Sequence, residues 1–411
     1  MMQTTPGGVP VSAADPFGDD FLADPFRWHG GLRDAGPVVW LERYGVWAMA
    51  RYAEVHDALR DWATFCSSAG VGLSDFRREA PWRPPSLLLE ADPPEHSRAR
   101  TAVARALTPR TVRSLRDDFT RAATRLAADL AGQGTVDGIP DIAEAFPLRV
   151  FAEAVGLAEP GGEQLLAYGN MAFNAFGPRN ELTRASLRQA AEVGAWIAAQ
   201  CTRDALTPGG LGARIYASVD DGTISADEAA LLVRSLLTAG VDTTVIGLGC
   251  ALDCLARDPA QWQLIREDPT RAGAAFEESL RYASPVQTFF RTTTRDVAVG
   301  GVRIGAGEKV LLFLAAANRD PRHWDDPDRF DLRRRAQGHV AFGFGIHACI
   351  GAALARLEGE VLLEALARQV GRLELAGEPR RRLNNTLSGF AALPLRLFPA
   401  GIRPPGVAAA G

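Results

Sequence analysis

The stretch from Ser225 to Asp258 constrains the fold more than any other part of the chain. Ser225-Ala226-Asp227-Glu228 has the form of a capping box, in which serine and glutamate satisfy each other's backbone donors. No proline follows until Asp258-Pro259, so the spacing predicts one continuous helix, about 50 Å long at 1.5 Å per residue. Its middle, Leu231 to Leu252, is apolar on nearly every face. A helix of that kind has to be buried, with other elements packed around it on all sides.

The remainder is compatible with such a core. After about residue 92 the pattern is mostly amphipathic helix rich in Ala and Leu, and Asp92-Pro93, Asp258-Pro259 and Asp268-Pro269 each read as an N-cap followed by proline. Strand-like material is expected only at Thr288–Val299, Val302–Leu314 and Leu393–Phe398. The composition is that of a globular chain, 47% hydrophobic and 23% charged with net charge −4, which argues against nucleic-acid binding and against disorder. Uninterrupted apolar runs such as Leu311–Ala317 fall well short of a bilayer span, and the N-terminus lacks the pattern of a signal peptide. Five scattered cysteines do not suggest a disulfide framework. Lys309 is the only lysine among 45 cationic residues, a bias read as codon usage. A cytoplasmic protein is expected, and 411 residues alone suggest two or three domains.

One segment carries chemistry: Phe342-Gly343-Phe344-Gly345-Ile346-His347-Ala348-Cys349-Ile350-Gly351. The glycines permit a tight turn beside a flat ligand. A helix predicted from about Ile350 puts Cys349 at its N-terminus, where the dipole and free N–H groups favour a thiolate able to ligate iron. No third glycine completes a dinucleotide fingerprint, and no Cys-x-x-Cys-His is present. Cys250 and Cys254 lack a partnering histidine and read as core.

At this point the chain resembles the cytochrome P450 family, whose haem-binding signature it matches at every fixed position, including Phe342, Gly343, His347, Cys349 and Gly351. The resemblance implies a mainly α fold with small β-sheets, a triangular helical prism around a buried haem b with Cys349 as axial thiolate. It also implies a role for Glu278 and Arg281, which resemble the family's Glu-x-x-Arg pair with Arg329 as its arginine partner, a network for folding and haem retention. His96, Arg100, Arg291 and His347 resemble the set that holds the haem propionates through charge-assisted hydrogen bonds.

Ala239-Gly240-Val241-Asp242-Thr243-Thr244 interrupts the apolar helix with polar residues. Such a run either kinks a helix as threonines bond back to carbonyls, or serves chemistry. O–O cleavage needs protons, and an acid–alcohol pair can relay them. The family places that pair at the positions of Asp242 and Thr243, which implies a monooxygenase and disfavours its peroxide-using members. Ser235, Thr238, Ala239 and Asp242 fall on one helical face. On spacing alone, the hydroxyls of Ser235 and Thr238 beside Arg234 serve either their own backbone or an anion.

Gly72–Arg77, Trp82–His96, Phe173–Pro178 and Ser284–Thr294 resemble the bacterial P450s that oxidise para-substituted benzoic acids, such as the 4-methoxybenzoate O-demethylases, a likeness extending from about Asp24 to Leu397. It implies that a carboxylate is held by Arg83, Ser86 and Ser235, with Arg234 and Thr238 close by. The ring would then lie among Leu89, Phe173, Phe176, Ala239, Val286 and Phe289. Thr238 departs from the serine expected of close relatives, and Phe344 is bulky for its slot. The alternatives are a P450 acting on a terpene, fatty acid or secondary-metabolite intermediate, and a non-catalytic haem sensor.

Convergence of these residues on one haem revises the length argument. The expectation becomes a single catalytic domain over 24–400, with flexible segments at 1–23 and 401–411. The expected partners are O2, a small aromatic acid and, for electrons, a [2Fe-2S] ferredoxin with an NAD(P)H-dependent reductase. The ferredoxin would meet arginines such as Arg98 and Arg105 on the cysteine side. A monomer independent of membranes is expected.

Overall fold

Two helices in tandem, Ala226–Ala239 and Asp242–Arg257, form the spine of the computed structural model, which describes residues 3–4, 8–159 and 161–401. The capping box is present: Ser225 Oγ accepts from the Glu228 N–H at 3.1 Å, and Glu228 Oε2 accepts from the Ser225 N–H at 2.8 Å. The continuous helix expected from the sequence is interrupted at Gly240-Val241. Thr243 Oγ1 donates to the Ala239 carbonyl at 2.7 Å and Thr244 Oγ1 to that of Gly240 at 3.1 Å, back-bonding of the kind that bends helices. The Phe151 ring wedges against the break, where a Cβ on Gly240 would lie 2.3 Å from it.

From Thr244 to Leu252 every residue is buried. Ala272–Ala283 and Ala352–Gln369 pack on this helix, and Arg116–Ala131 lies over Ala352–Gln369. One hydrophobic cluster draws members from Val71 to Leu397. Among the described residues Ala226–Arg257 is the one span long and apolar enough to cross a membrane, but 72% of its most apolar window is buried in the protein. Reading uninterrupted apolar runs missed it because Arg234 and Asp242 divide it.

The strands are more numerous than expected. Lys309–Phe313 pairs antiparallel with Thr288–Thr293 and parallel with Val46–Met49, in register Val310 to Trp47. Val39–Leu41, Pro10–Ser12, Gln3–Thr4 and Phe65–Cys66 extend that sheet. Strands of two to four residues are too short to show a period in sequence. The C-terminal strand forms at Pro394–Pro399, beside Val370–Leu375 and Thr135–Asp137.

The flexible segment expected at 1–23 is corrected over residues 10–23, while 1–2 and 5–7 lie outside the described residues. Pro10–Ser12 is a strand in the main sheet, and Phe17 and Phe21 are buried in a satellite core with Leu41, Phe290 and Phe313. Of the expected C-terminal tail, 402–411 lies outside the described residues. Asp258 and Asp268 cap helices as expected, whereas Asp92 turns its carboxylate to the backbone N–H groups of Ser67 and Ser68.

Gly240→Ala is expected to destabilise the haem-loaded protein by about 1–3 kcal/mol through overpacking against Phe151, read as a lowered denaturation midpoint with an unchanged slope.

Candidate active site

The cysteine loop is held open by its glycines. Gly343 and Gly345 both adopt φ of 68°, and a Cβ at Gly345 would lie 2.7 Å from the Leu59 carbonyl oxygen. The Cys349 N–H donates back to the Phe342 carbonyl at 2.7 Å and closes the loop. Gly351 then leads into the helix Ala352–Gln369. Cys349 is the only exposed cysteine of the five, and its exposure is to an internal cavity that it lines. Burial pushes its thiol above the ordinary range, opposed by the Gly351 N–H, Arg100 and Arg356.

Two arginines bonded only to backbone carbonyls and a histidine stand around the same cavity. Arg100, Arg291 and His347 line it. Arg100 Nη2 donates to the Ala348 carbonyl at 2.8 Å, and Arg291 Nη1 to that of Phe290. His96 lies behind His347, their rings 4.6 Å apart, and both of its nitrogens are buried without a hydrogen-bond partner. His347 Nδ1 reaches the Leu88 carbonyl, but its Nε2 is an orphan 3.6 Å from Asp92. Buried donors left unpaired in this way fit an anionic group with its own acceptors.

The central helices contribute Ser235, Thr238, Ala239, Gly240, Thr243 and Thr244 to the lining. Asp242 is absent from it, which corrects the expectation that it shares a face with Ser235 and Thr238. The break at Gly240 breaks the strict helical spacing, and the carboxylate turns to Arg382, whose Nη2 donates to Asp242 Oδ1 at 2.6 Å. Asp242 Oδ2 is buried without a partner, and burial raises the pKa of the acid against the opposing pull of Arg382.

All eleven residues expected to meet a substrate line this one cavity of about 250 Å³. Its walls are apolar: Leu89, Val286 and a run of edge-on rings in which Phe173 and Phe289 each lie 5.7 Å from Phe176. One end is polar. Ser86 Oγ and Ser235 Oγ are 3.1 Å apart, and Thr238 Oγ1 donates to the Arg234 carbonyl at 2.7 Å. Arg234 Nη2 reaches only the carbonyls of Pro84 and Pro85. Arg83, by contrast, is paired with Glu90 at 3.0 Å.

Comparison with known proteins bears directly on this arrangement. The Cytochrome P450 family matches residues 211–390. Cytochrome p450 CYP199A2 of Rhodopseudomonas palustris is 55% identical over 402 residues, 97% of this chain and 98% of that one. The chain belongs to the cytochrome P450 family. Erythromycin C-12 hydroxylase of Saccharopolyspora erythraea is 36% identical over 363 residues, 86% of this chain and 89% of that one. Among solved structures, a mutant of P450 EryK with erythromycin B is 35% identical at a TM-score of 0.81, covering 94% of this chain and 99% of that one. Cytochrome P450 CREJ in complex with (4-ethylphenyl) dihydrogen phosphate is 28% identical at 0.84, covering 93% and 98%.

This P450 is a haem-thiolate monooxygenase whose haem b takes Cys349 as axial ligand. The orphaned donors of His96 and His347 and the unpaired Arg100 and Arg291 fit its propionates. Behind the cysteine loop, Arg281 and Glu278 are wholly buried and joined by two bonds of 2.8 Å. The side chain that completes this pair is Arg334, not Arg329. Arg334 Nε donates to Glu278 Oε1 at 3.1 Å, while Arg329 contributes only its backbone carbonyl to Arg281 and leaves its side chain 60% exposed. Two arginines five positions apart on an irregular segment are indistinguishable from sequence.

Sequence reasoning also missed Arg382, Glu90 and a set of asparagines. Asn385 Nδ2 donates to the Asn174 carbonyl at 2.9 Å, and Thr386 Oγ1 to that of Phe173, so the C-terminal loop clamps the helix carrying the Phe173 ring. The Arg380–Arg382 run was the only signal for Arg382. Arg98 and Arg105, expected to face a ferredoxin, are paired with Glu228 and Asp221.

Arg334→Ala is expected to cost about 1–3 kcal/mol by stranding part of the buried Glu278 carboxylate, and to accelerate haem loss. Arg329→Ala is expected to stay within about 0.5 kcal/mol of the parent. Haem transfer to apomyoglobin and thermal denaturation read both.

Proposed function

We propose that this P450 inserts one oxygen atom of O2 into the para substituent of benzoic acids, demethylating 4-methoxybenzoate and hydroxylating 4-alkylbenzoates. The observation that carries this reading is Arg234, a cation without a carboxylate partner beside the hydroxyls of Ser86 and Ser235, at one end of an otherwise apolar cavity. A carboxylate is buried at tolerable cost only where charge-assisted hydrogen bonds meet it. Anchoring one end of a flat acid between Phe173, Phe176 and Phe289 directs its para end away from the anchor. The likeness to CREJ, whose structure holds a para-alkyl aryl anion, supports an anionic aromatic ligand in this fold.

Bound haem supplies the activation of dioxygen, and the protein supplies protons and position. Asp242, kept protonated more readily by burial, holds a proton that it passes toward the adjacent Thr243 hydroxyl on the cavity wall. Arg382 holds Asp242 Oδ1 and is itself 26% exposed, which connects the acid to solvent. Electrons come from a [2Fe-2S] ferredoxin and its NAD(P)H-dependent reductase in the cytoplasm. Arg98 and Arg105, exposed though paired with Glu228 and Asp221, remain available to an acidic ferredoxin surface.

Thr243→Ala is expected to retain haem and NADH consumption while product per NADH falls about tenfold and hydrogen peroxide rises; unchanged coupling would remove Thr243 from proton delivery. In a spin-state titration, methyl 4-methoxybenzoate is expected to bind about 10- to 100-fold more weakly than 4-methoxybenzoate, the loss of one or two charge-assisted bonds. Equal affinity would rule out carboxylate recognition.

A further inference from the structure

The polar end of the cavity holds two guanidinium groups and a carboxylate that sits behind one of them. Glu90 Oε2 accepts from Arg83 Nη1 at 3.0 Å and from the Ser86 backbone N–H at 2.7 Å. Arg83 and Ser86 line the cavity, whereas Glu90 does not. The pair is almost withdrawn from water, with the side chains of Arg83 and Glu90 9% and 3% exposed. Its geometry is held by a tight turn: the Glu90 N–H donates to the Ser86 carbonyl at 2.9 Å, and the N–H groups of Leu88 and Leu89 donate to Ser86 Oγ. Arg83 Nε is buried without a partner. Beyond this pair, Arg234 has only carbonyl acceptors.

We propose that Glu90 sets the charge this cavity accepts: by neutralising Arg83 it leaves one net positive charge at the polar end, so the site takes monoanions and rejects dianions of the same shape. The inference rests on the reading of that end as an anion site. A monoanion facing Arg234 and the Arg83–Glu90 pair is fully compensated. A dianion leaves one buried charge uncompensated, and at this depth such a charge is strongly disfavoured. Glu90 acts through Arg83 and Ser86 without touching the ligand, so it is a specificity-determining residue and not a catalytic one. A benzoate carries one charge, as the cavity requires. An aryl phosphate carries close to two above its second pKa of about 6.

Two ligands of matched shape separate charge from size: 4-ethylphenyl sulfate, a monoanion, and 4-ethylphenyl phosphate, at about pH 8 a dianion. Their dissociation constants are read from the haem spin shift of the holoenzyme, with 4-ethylbenzoate and its methyl ester as a separate arm. The wild type is expected to favour sulfate over phosphate by about tenfold or more, and Glu90→Gln to shrink that ratio to about threefold or less by gaining affinity for the phosphate. An E90Q protein that gains no affinity for the phosphate overturns the proposal, whatever the wild type binds. Should E90Q fail to incorporate haem, Arg83→Gln decides: it leaves the polar end neutral and is expected to weaken both anions, and sulfate binding as tight as in the wild type would overturn the charge count. If acid and ester bind alike in the wild type, the carboxylate reading itself has failed, an outcome distinct from either of these.

Discussion

A buried guanidinium is costly unless an anion meets it, and this protein sets three around one cavity, Arg291 and Arg234 buried and Arg100 half-buried, with no carboxylate bonded to them. Arg100, Arg291 and Arg234 give their bonds to backbone carbonyls, and the two nitrogens of His96 have no bond at all. Such groups are tolerated when a ligand supplies the missing charge. The haem propionates would do so for the first set and the proposed substrate carboxylate for Arg234. The rest of the structure is arranged around that need: a break in the spine, rings along the walls, and polar clamps behind the cysteine loop and the Phe173 helix.

The break at Gly240 converts a structural element into a site. An unbroken helix would place Asp242 in line with Ser235 and Thr238, and its carboxylate would then face the substrate. With Phe151 wedged at Gly240 and the threonine hydroxyls bonded backward, Asp242 instead points at Arg382 while Thr243 remains on the cavity wall. Acid and alcohol thus face different ways, the carboxylate toward Arg382 and Thr243 on the cavity wall. The kink reading of the polar run is met by this break and by the back-bonded threonines.

Legibility in the sequence followed locality. The cysteine loop is a contiguous string whose glycines are required by positive φ, so it was readable in full. The eleven residues that resemblance expects to face a substrate all line the cavity. The partners of charged groups were not legible. Arg329 stood where the charge on Glu278 was expected, but the fold brings Arg334; Arg83 was expected to hold a carboxylate, and the turn from Ser86 also brings Glu90 to it. Arg98 and Arg105 were expected to face a partner; both are exposed and pair with Glu228 and Asp221, more than 100 positions away.

By itself the sequence determined the family, the iron ligand, the helical core and the residues that surround the cavity, because each follows from a local pattern or a contiguous motif. The tertiary structure alone decided which charges are paired, which way Asp242 faces and how the N-terminal strands join a sheet with residues some 270 positions away. The physical reason is that hydrophobic periodicity is written along the chain, whereas the compensation of a buried charge depends on whatever the fold brings within about 3 Å of it.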